Sequence, residues 1–143
     1  MTSRFALALH ALVYLHRRGG PVSSSVLAQR ICTNPARIRQ VAGQLREAGL
    51  LETREGRAGG YVFAGDAGTL TLEQIAQAVD ARFVASSWRS GGMDRQCRDM
   101  ARALDALYST LDRGCRRQLE GMTLLAFEER FLPGLPAEGA VPR

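Results

Sequence analysis

The apolar residues follow a helical period over most of the chain, and this pattern predicts the elements in order. The stretch from Phe5 to Leu15 is apolar almost all round, which predicts a central core helix that ends before Gly19. A short amphipathic segment, Val26 to Ile31, follows three serines that can cap it. Cys32-Thr33-Asn34 separates it from a third segment that begins at Pro35, a residue favoured at the first position of a helix.

The third segment is amphipathic. Its apolar face carries Ile38, Val41, Ala42, Leu45 and Leu50, and its polar face carries Arg37, Arg39, Gln40, Gln44 and Arg46. Gly49 is a typical C-terminal cap. Two short strands are predicted at 50–53 and 61–63, around a basic, glycine-rich turn at 54–60. A helix-turn-helix followed by a basic hairpin predicts a winged helix.

The second half of the chain is helical by the same criterion. Thr71 and Gln74 form a capping-box pattern that predicts a helix through Val79. The polar, glycine-rich stretch 82–93, which contains Trp88, predicts a mobile loop. A long helix then begins near Asp94, and Thr123 can cap a last helix that ends at Phe131.

The long helix carries an apolar seam with steps of three and four residues: Cys97, Met100, Leu104, Leu107 and Leu111. The rest of the domain is too small to cover such a seam, so pairing with a second chain is the simplest solution. Packing of the helix onto its own domain is the alternative. We divide the chain into a winged helix-turn-helix domain at 1–66, a sensor loop with dimerisation helices at 67–133, and a flexible tail at 134–143. The fold class is mostly α with a small β-hairpin wing.

The composition is basic, and the sequence contains no pattern typical of a membrane-spanning segment. The net charge is +5, and all 19 basic residues other than histidine are arginines. Arginine suits phosphate and guanine, although a GC-rich genome also explains the lack of lysine. An apolar run of the length that spans a bilayer is absent, as is a signal-peptide pattern, so we expect a cytoplasmic protein. The three cysteines fit reduced thiols in that compartment.

Catalytic chemistry has little support in this sequence. His10 and His16 lie about 240° apart around one helix and cannot share a metal. The glycines at 56–60 do not form a phosphate loop, because Lys-Ser/Thr does not follow them and they open no helix. We therefore expect a protein that is not an enzyme and that has no cofactor.

Four motifs carry a family resemblance: Phe5-Ala-Leu-Ala-Leu, Ala48-Gly-Leu-Leu51, Gly56-Arg-Ala-Gly-Gly-Tyr61, and the helix from Thr71 to Val79. In this order and spacing they resemble the Rrf2 family of bacterial winged-helix transcriptional regulators. The resemblance covers about residues 3 to 130. It implies a homodimer that binds a palindromic operator, usually as a repressor, with the long helices crossing at the interface.

Departures from the family pattern affect the expected cofactor and operator. Members that bind an iron–sulfur cluster carry three closely spaced cysteines near the start of the long helix, whereas this chain has only Cys97 there. Thiolates hold such clusters, so the chain resembles a branch without one. Glu55 lies where members often have a basic wing residue. The DNA contacts of the wing are therefore expected from Arg54 and Arg57. In cluster regulators a glutamate near the position of Arg39 takes part in base discrimination, so Arg39 implies a different operator.

The leading functional prediction is therefore a transcriptional repressor that binds double-stranded DNA. Recognition-helix residues would face the major groove, while residues of the preceding helix and the wing would contact phosphates. The predicted DNA-binding residues are Ser24, Ser25, Asn34, Ala36, Arg37, Arg39, Gln40, Gln44, Arg54, Arg57 and Tyr61, and the predicted dimer interface is Met100, Leu104, Leu107 and Leu111. A winged-helix module that binds only proteins is the alternative.

The regulatory signal is predicted to be thiol oxidation or a small effector. Cys32 lies ahead of the recognition helix, where a helix N-terminus would increase thiol reactivity. Cys97, in the seam, is the rival redox site. Cys97 and Cys115 would lie about 27 Å apart along a straight helix and cannot pair within one chain. For each cysteine the alternative is a small apolar core residue.

Overall fold

The computed structural model describes residues 3–85 and 94–134. Most of the predicted loop at 82–93, including Trp88, and the tail beyond residue 134 lie outside the described residues. The described chain forms a mostly helical fold with one two-stranded antiparallel hairpin, as predicted. Its elements are α1 (Arg4–Arg18), α2 (Ser24–Arg30), α3 (Pro35–Glu47), β1 (Leu51–Arg54), β2 (Gly60–Phe63), α4 (Leu72–Ala78), α5 (Arg95–Glu120) and α6 (Leu124–Phe131).

Side-chain caps begin these helices where the sequence predicts them. Thr71 Oγ1 accepts a hydrogen bond from the backbone N–H of Gln74, whose side chain accepts one from the N–H of Thr71, so the capping box is complete. The predicted starts of α5 and α6 are confirmed by the caps Asp94 and Thr123. Ser23 alone caps α2, so Ser24 and Ser25 lie in its first turn.

The end of α3 shows why a glycine follows it. Ala48, and not Gly49 as predicted, is the capping residue. Gly49 lies just beyond it at φ +77° and donates to the Arg46 carbonyl, while Leu50 N–H donates to the Leu45 carbonyl at 2.9 Å. This pair of bonds is a Schellman motif, which requires a left-handed residue at the position of Gly49.

A single hydrophobic core joins the winged helix to the C-terminal helices. Leu12, Leu27 and Leu45 from the first three helices are fully buried, as are Ile75 of α4 and Leu124 of α6. Helix α1 supplies seven of the buried residues, which confirms that it is the central core helix. The core therefore continues across residue 66, where the sequence suggests a domain boundary.

The hairpin is held against the connection between α1 and α2. Leu51 pairs with Phe63 and Arg54 with Gly60 in antiparallel register. Tyr61 and Val22 exchange backbone hydrogen bonds of 2.8 and 3.0 Å. Gly60 lies at φ +146°, and a Cβ atom there would lie 2.3 Å from the Val22 carbonyl oxygen. A side chain at this position would thus force the wing away from the core.

A buried carboxylate on α6 contacts a histidine of α1. Glu128 is 5% exposed, and its two oxygens lie 3.0 and 3.1 Å from Nδ1 of His16. Arg17 contributes a longer contact of 3.9 Å to the same group. The His16 ring also packs edge-on against Phe63 at 5.3 Å, so this cluster connects α1, α6 and the wing.

Candidate nucleic-acid interface

The helix-turn-helix is built around a three-residue turn. Cys32 lies there at φ +56°, and Thr33 N–H donates to the Ala28 carbonyl at 2.9 Å. Asn34 then accepts a hydrogen bond from the Arg37 N–H through Oδ1, also at 2.9 Å. This oxygen is committed to the start of α3, so Asn34 orients the helix that the sequence assigns to DNA. Cys32 is exposed, and the alternative of a small core residue is therefore wrong for this cysteine.

One side of α3 is buried in the core and the other is exposed to solvent. Ile38, Val41, Ala42 and Leu45 are buried, as predicted. The outward side carries three of the predicted DNA-binding residues, Ala36, Arg39 and Gln40, all exposed. Since Ala36 and Gln40 are four residues apart, they lie on one stripe of the helix, with Arg39 adjacent.

Two predicted residues lie at the edge of this open side. Arg37 is half-buried and has a partner of its own. Gln44 is also half-buried, and its Oε1 atom is inaccessible to solvent without a hydrogen-bond partner among the described residues. The exposed members of the predicted set on α3 therefore lie in its N-terminal half, the part of a recognition helix that usually reaches base edges.

The remaining predicted residues lie on α2 and on the wing. Ser25 is exposed and Ser24 is half-buried in the first turn of α2. Arg54 and Arg57 are exposed at the wing tip, where Gly56 takes φ +102° to make the turn. Tyr61 is half-buried and packs against the core, as expected from its pairing with Val22. All of the predicted positions thus belong to α2, to α3 and its N-cap Asn34, or to the hairpin, and these three elements are joined to one core.

One contact that sequence reasoning missed links α3 to the wing. Arg46, near the end of α3, donates from Nη1 to Thr53 Oγ1 of β1 at 3.5 Å. A groove of about 600 Å³ lies beside this contact and includes Glu52 and Glu55 among its lining residues. These two carboxylates add negative charge next to the arginines of the wing.

A second missed feature is an ionic cluster between α4 and α5. The Asp112 carboxylate accepts from the backbone N–H groups of Phe83 and Val84 at 2.7 and 3.1 Å. Arg116 donates to Asp112 at 3.2 Å, to Glu73 of α4 at 3.1 Å and to the carbonyl of Ala81. The i, i+4 spacing of Asp112 and Arg116 is a visible sequence signal, but its tertiary partners are not.

The environment lowers the pKa of Asp112. Burial alone would raise this pKa, but the N–H groups of Val84 and Phe83 and the guanidinium of Arg116 outweigh it. The same cluster raises the pKa of Arg116: burial lowers it, and hydrogen bonds to Asp112 and Glu73 more than compensate. Both groups are therefore held in their charged forms.

The three thiols lie on two different elements of the fold. Cys32 lies in the helix-turn-helix, whereas Cys97 and Cys115 are half-buried on α5. Asp94 caps α5: its carboxylate accepts a hydrogen bond from the backbone N–H of Cys97 at 2.9 Å. This bond, followed by the interaction with the Cys97 thiol, lowers the pKa of Asp94. Within residues 3–85 and 94–134, no group of three or more histidine, cysteine or acidic side chains is placed so that it could hold a metal ion.

The long helix exposes its apolar seam. Met100, Leu107 and Leu111 are 56, 52 and 48% exposed, while Leu104 is half-buried. Among the described helices, none combines the length and apolarity needed to cross a membrane.

Comparisons with known proteins identify the family. The Rrf2 model, described as "Iron-dependent Transcriptional regulator", matches residues 1–128. A Neisseria meningitidis protein named as an HTH-type transcriptional regulator is 28% identical over 128 residues, which is 89% of this chain and 84% of that protein. IscR of Xenorhabdus nematophila is 31% identical over 77 residues, or 54% of this chain and 47% of IscR.

The fold agrees with this identification. A transcriptional regulator structure from Lactobacillus plantarum is similar with a TM-score of 0.73 at 21% identity, covering 92% of this chain and 91% of that one. Together with the capped helix-turn-helix and its wing, the match over residues 1–128 shows that the chain belongs to the Rrf2 family of transcriptional regulators and is not an enzyme.

Proposed function

We propose that the protein is a homodimeric repressor that binds a palindromic DNA operator. The observation that carries this proposal is the exposed stripe of α3, Ala36, Arg39 and Gln40, together with the exposed arginines of the wing. A helix of this kind fits the major groove, where arginine pairs with guanine and glutamine with adenine. Arg54 and Arg57 would then contact phosphates on the flanking backbone.

The dimer is supported by the open seam of α5. Three large apolar side chains on one helix, each about half exposed, are unfavourable in water unless another surface covers them. A second copy related by a two-fold axis would present its own α3 and wing to a second half-site. The operator would then be a palindrome with half-site centres about one helical turn, or a multiple of it, apart.

Selection of binding sequences from a random DNA pool tests this proposal. We expect enrichment of an inverted repeat, bound at least about a thousandfold more tightly than random DNA at physiological salt. A protein-interaction module, the alternative function, would give no enriched sequence and no salt-dependent DNA affinity. A reporter fused to the selected site separates repression from activation.

We infer that this member of an iron-dependent family holds no iron–sulfur cluster. Such clusters are held by several thiolates around one point. Here Cys97 and Cys115 lie about 27 Å apart along α5, and Cys32 belongs to the helix-turn-helix. The donor set therefore does not fit a cluster. Anaerobically purified protein should be colourless, and stoichiometric iron and sulfide would contradict the inference.

A thiol switch that releases the DNA is the form of regulation we propose. Cys32 is exposed and lies two residues before the Asn34 cap, so an adduct in this turn would tilt α3. Cys97 is the rival sensor, because a group added there would disturb the start of α5 and the seam. Gel-shift assays with diamide on Cys32→Ser and Cys97→Ser proteins distinguish them: the substitution that abolishes the response marks the sensor. Insensitive wild-type protein would instead favour a small-molecule effector.

A further inference from the structure

Strand β2 of the wing is attached to the rest of the fold at two places. Tyr61 exchanges backbone hydrogen bonds of 2.8 and 3.0 Å with Val22. Two residues further on, the Phe63 ring packs against the ring of His16, with 5.3 Å between the ring centroids. The first attachment uses the backbone, whereas the second depends on the orientation of one histidine side chain.

Glu128 of α6 fixes that orientation. Its carboxylate is buried, and its two oxygens lie 3.0 and 3.1 Å from Nδ1 of His16. An ionised carboxylate only accepts hydrogen bonds, so Nδ1 carries the hydrogen and donates it. Rotation of the ring would break this bond and leave a buried charge with a longer contact, 3.9 Å to Arg17, which is costly. The His16 ring is therefore held in edge-on contact with Phe63.

Helix α6 is itself fixed to the segment that follows the wing along the chain. At the start of α6, Leu124 N–H donates to the Leu70 carbonyl at 2.8 Å, and Leu125 N–H donates to the Ala67 carbonyl at 2.9 Å. Leu124 is also fully buried in the core. The base of the wing is thus held by α6 twice, through these backbone bonds and through the histidine that Glu128 orients.

A small rotation at the base of the wing would displace its outer end. Leu51 and Phe63 form the first pair of the hairpin, and Arg54 and Gly60 form the last, three steps or about 10 Å further out. A rotation of about 10° at the base would move this last pair by about 2 Å. Hydrogen bonds have donor–acceptor distances between about 2.7 and 3.2 Å, so a shift of this size would break those expected between the wing arginines and phosphates.

We propose that His16, oriented by Glu128, positions the wing for DNA binding. In this role His16 acts through Phe63 on Arg54 and Arg57 and does not itself contact DNA. The role rests on the proposed DNA-binding function and adds a residue of the core helix α1 to it. It also makes the C-terminal helix α6 part of the support of the wing.

His16→Asn tests this role, because asparagine retains an N–H donor for Glu128 but has no ring to pack against Phe63. We expect about fivefold weaker affinity both for a random-sequence duplex of about 30 base pairs and for the selected operator, with a salt slope reduced by about one. His10→Asn is the matched control. His10 is exposed on the same helix, about 240° away, and its substitution should change neither value.

The same substitution in a protein without the wing arginines shows whether His16 acts through them. In an Arg54→Ala, Arg57→Ala background, His16→Asn should weaken DNA binding by less than about twofold, because the contacts it would disturb are already absent. A role in core stability alone would leave binding by the folded protein unchanged in both backgrounds. An equal loss in both would place the effect outside the wing. Either result would overturn the positioning role.

Glu128→Gln tests the contribution of the carboxylate. The amide keeps one acceptor oxygen for Nδ1 but loses the charge, so we expect a loss of affinity of about twofold, smaller than for His16→Asn. A loss for Glu128→Gln without any loss for His16→Asn would mean that the carboxylate affects DNA binding by another route. That outcome would overturn the role of His16.

Amide hydrogen exchange measures the wing without DNA. In His16→Asn the amides of β1 and β2 should exchange at least about tenfold faster than in the wild type, while those of α3 should not change. Equal acceleration throughout the chain would indicate a general loss of stability and overturn the positioning role. Wild-type protein without affinity for either DNA would overturn the proposed function, and the positioning role with it. Wild-type affinity that His16→Asn leaves unchanged would overturn the positioning role alone.

Discussion

Helices α3 and α5 show two outcomes for the same kind of amphipathic pattern. In α3 the apolar face is covered by its own chain, with Ile38 1% and Leu45 0% exposed, and Arg39 is exposed on the other face. In α5 much of the apolar face stays open, with Leu107 52% exposed. A periodic apolar face thus shows that a helix must be covered, but it does not show whether its own chain covers it. We propose that the open face of α3 binds DNA and that a second copy of the chain covers the open face of α5.

The largest expected effect comes from placing a charge in the open face of α5. Leu107→Glu would bury an unpaired carboxylate in the proposed dimer, which costs about 3–5 kcal/mol. We expect the dimer dissociation constant to rise more than a hundredfold and operator binding to fall with it. Analytical ultracentrifugation measures the first and gel shift the second.

Ala106→Glu is the matched control for this change. It adds the same charge to α5 at an exposed position about 100° away from Leu107. We expect little change in the dissociation constant. Equal losses for the two variants would show that the charge of the helix, and not the apolar face, governs association.

A smaller effect is expected on the open face of α3. Arg39→Ala should cost about 1–3 kcal/mol on operator DNA and much less on random DNA, because base contacts carry the discrimination. Fluorescence anisotropy with both DNAs gives the two values. If both affinities fall equally, Arg39 contacts a phosphate and the selective contacts lie elsewhere on α3.

The inner face of α5 gives a pH-dependent prediction. The pKa of Asp112 is lowered in the folded protein, so its charged form stabilises the fold above the unfolded value of about 4. This contribution is lost as pH falls through the lowered pKa. Asp112→Asn should therefore reduce the free energy of unfolding by about 1 kcal/mol at pH 7.

Urea unfolding at pH 7 and at pH 3 measures this difference between wild type and Asp112→Asn. The gap should narrow at the lower pH, since the wild-type carboxylate begins to take up a proton. A gap that stays constant or widens at pH 3 would mean that Asp112 does not stabilise the fold through its charge.

The smallest effect is expected at the wing. Arg57→Ala should weaken operator and random DNA alike, by less than about 1 kcal/mol, and reduce the slope of log affinity against log salt by about one. Titrations at four salt concentrations measure that slope. A loss of affinity for the operator alone would mean that Arg57 contacts a base edge. The base-contacting surface would then include the wing as well as α3.

Much of the fold could be predicted because its signals are local. The capping box of Thr71 and Gln74, Pro35 at the start of α3 and the glycines of the wing act through neighbours a few residues away. The predicted DNA-binding positions fall on these same elements. Gly49 ends α3 as predicted, although the capping residue itself is Ala48, one position earlier. The alternative of a core position for Cys32 was wrong. Both residues lie at helix ends, where boundaries depend on a single backbone angle.

The amino-acid sequence by itself determined the order of the elements, the outward stripe of α3 and the apolar seam of α5, because helical periodicity links residues three and four apart. Only the tertiary structure decided which of these faces is covered, and it joined His16 to Glu128 across 112 residues of chain. It also brought Arg116 to Glu73 and Ala81. Such contacts depend on how helices pack in space, and residues far apart in sequence carry no periodic signal for one another.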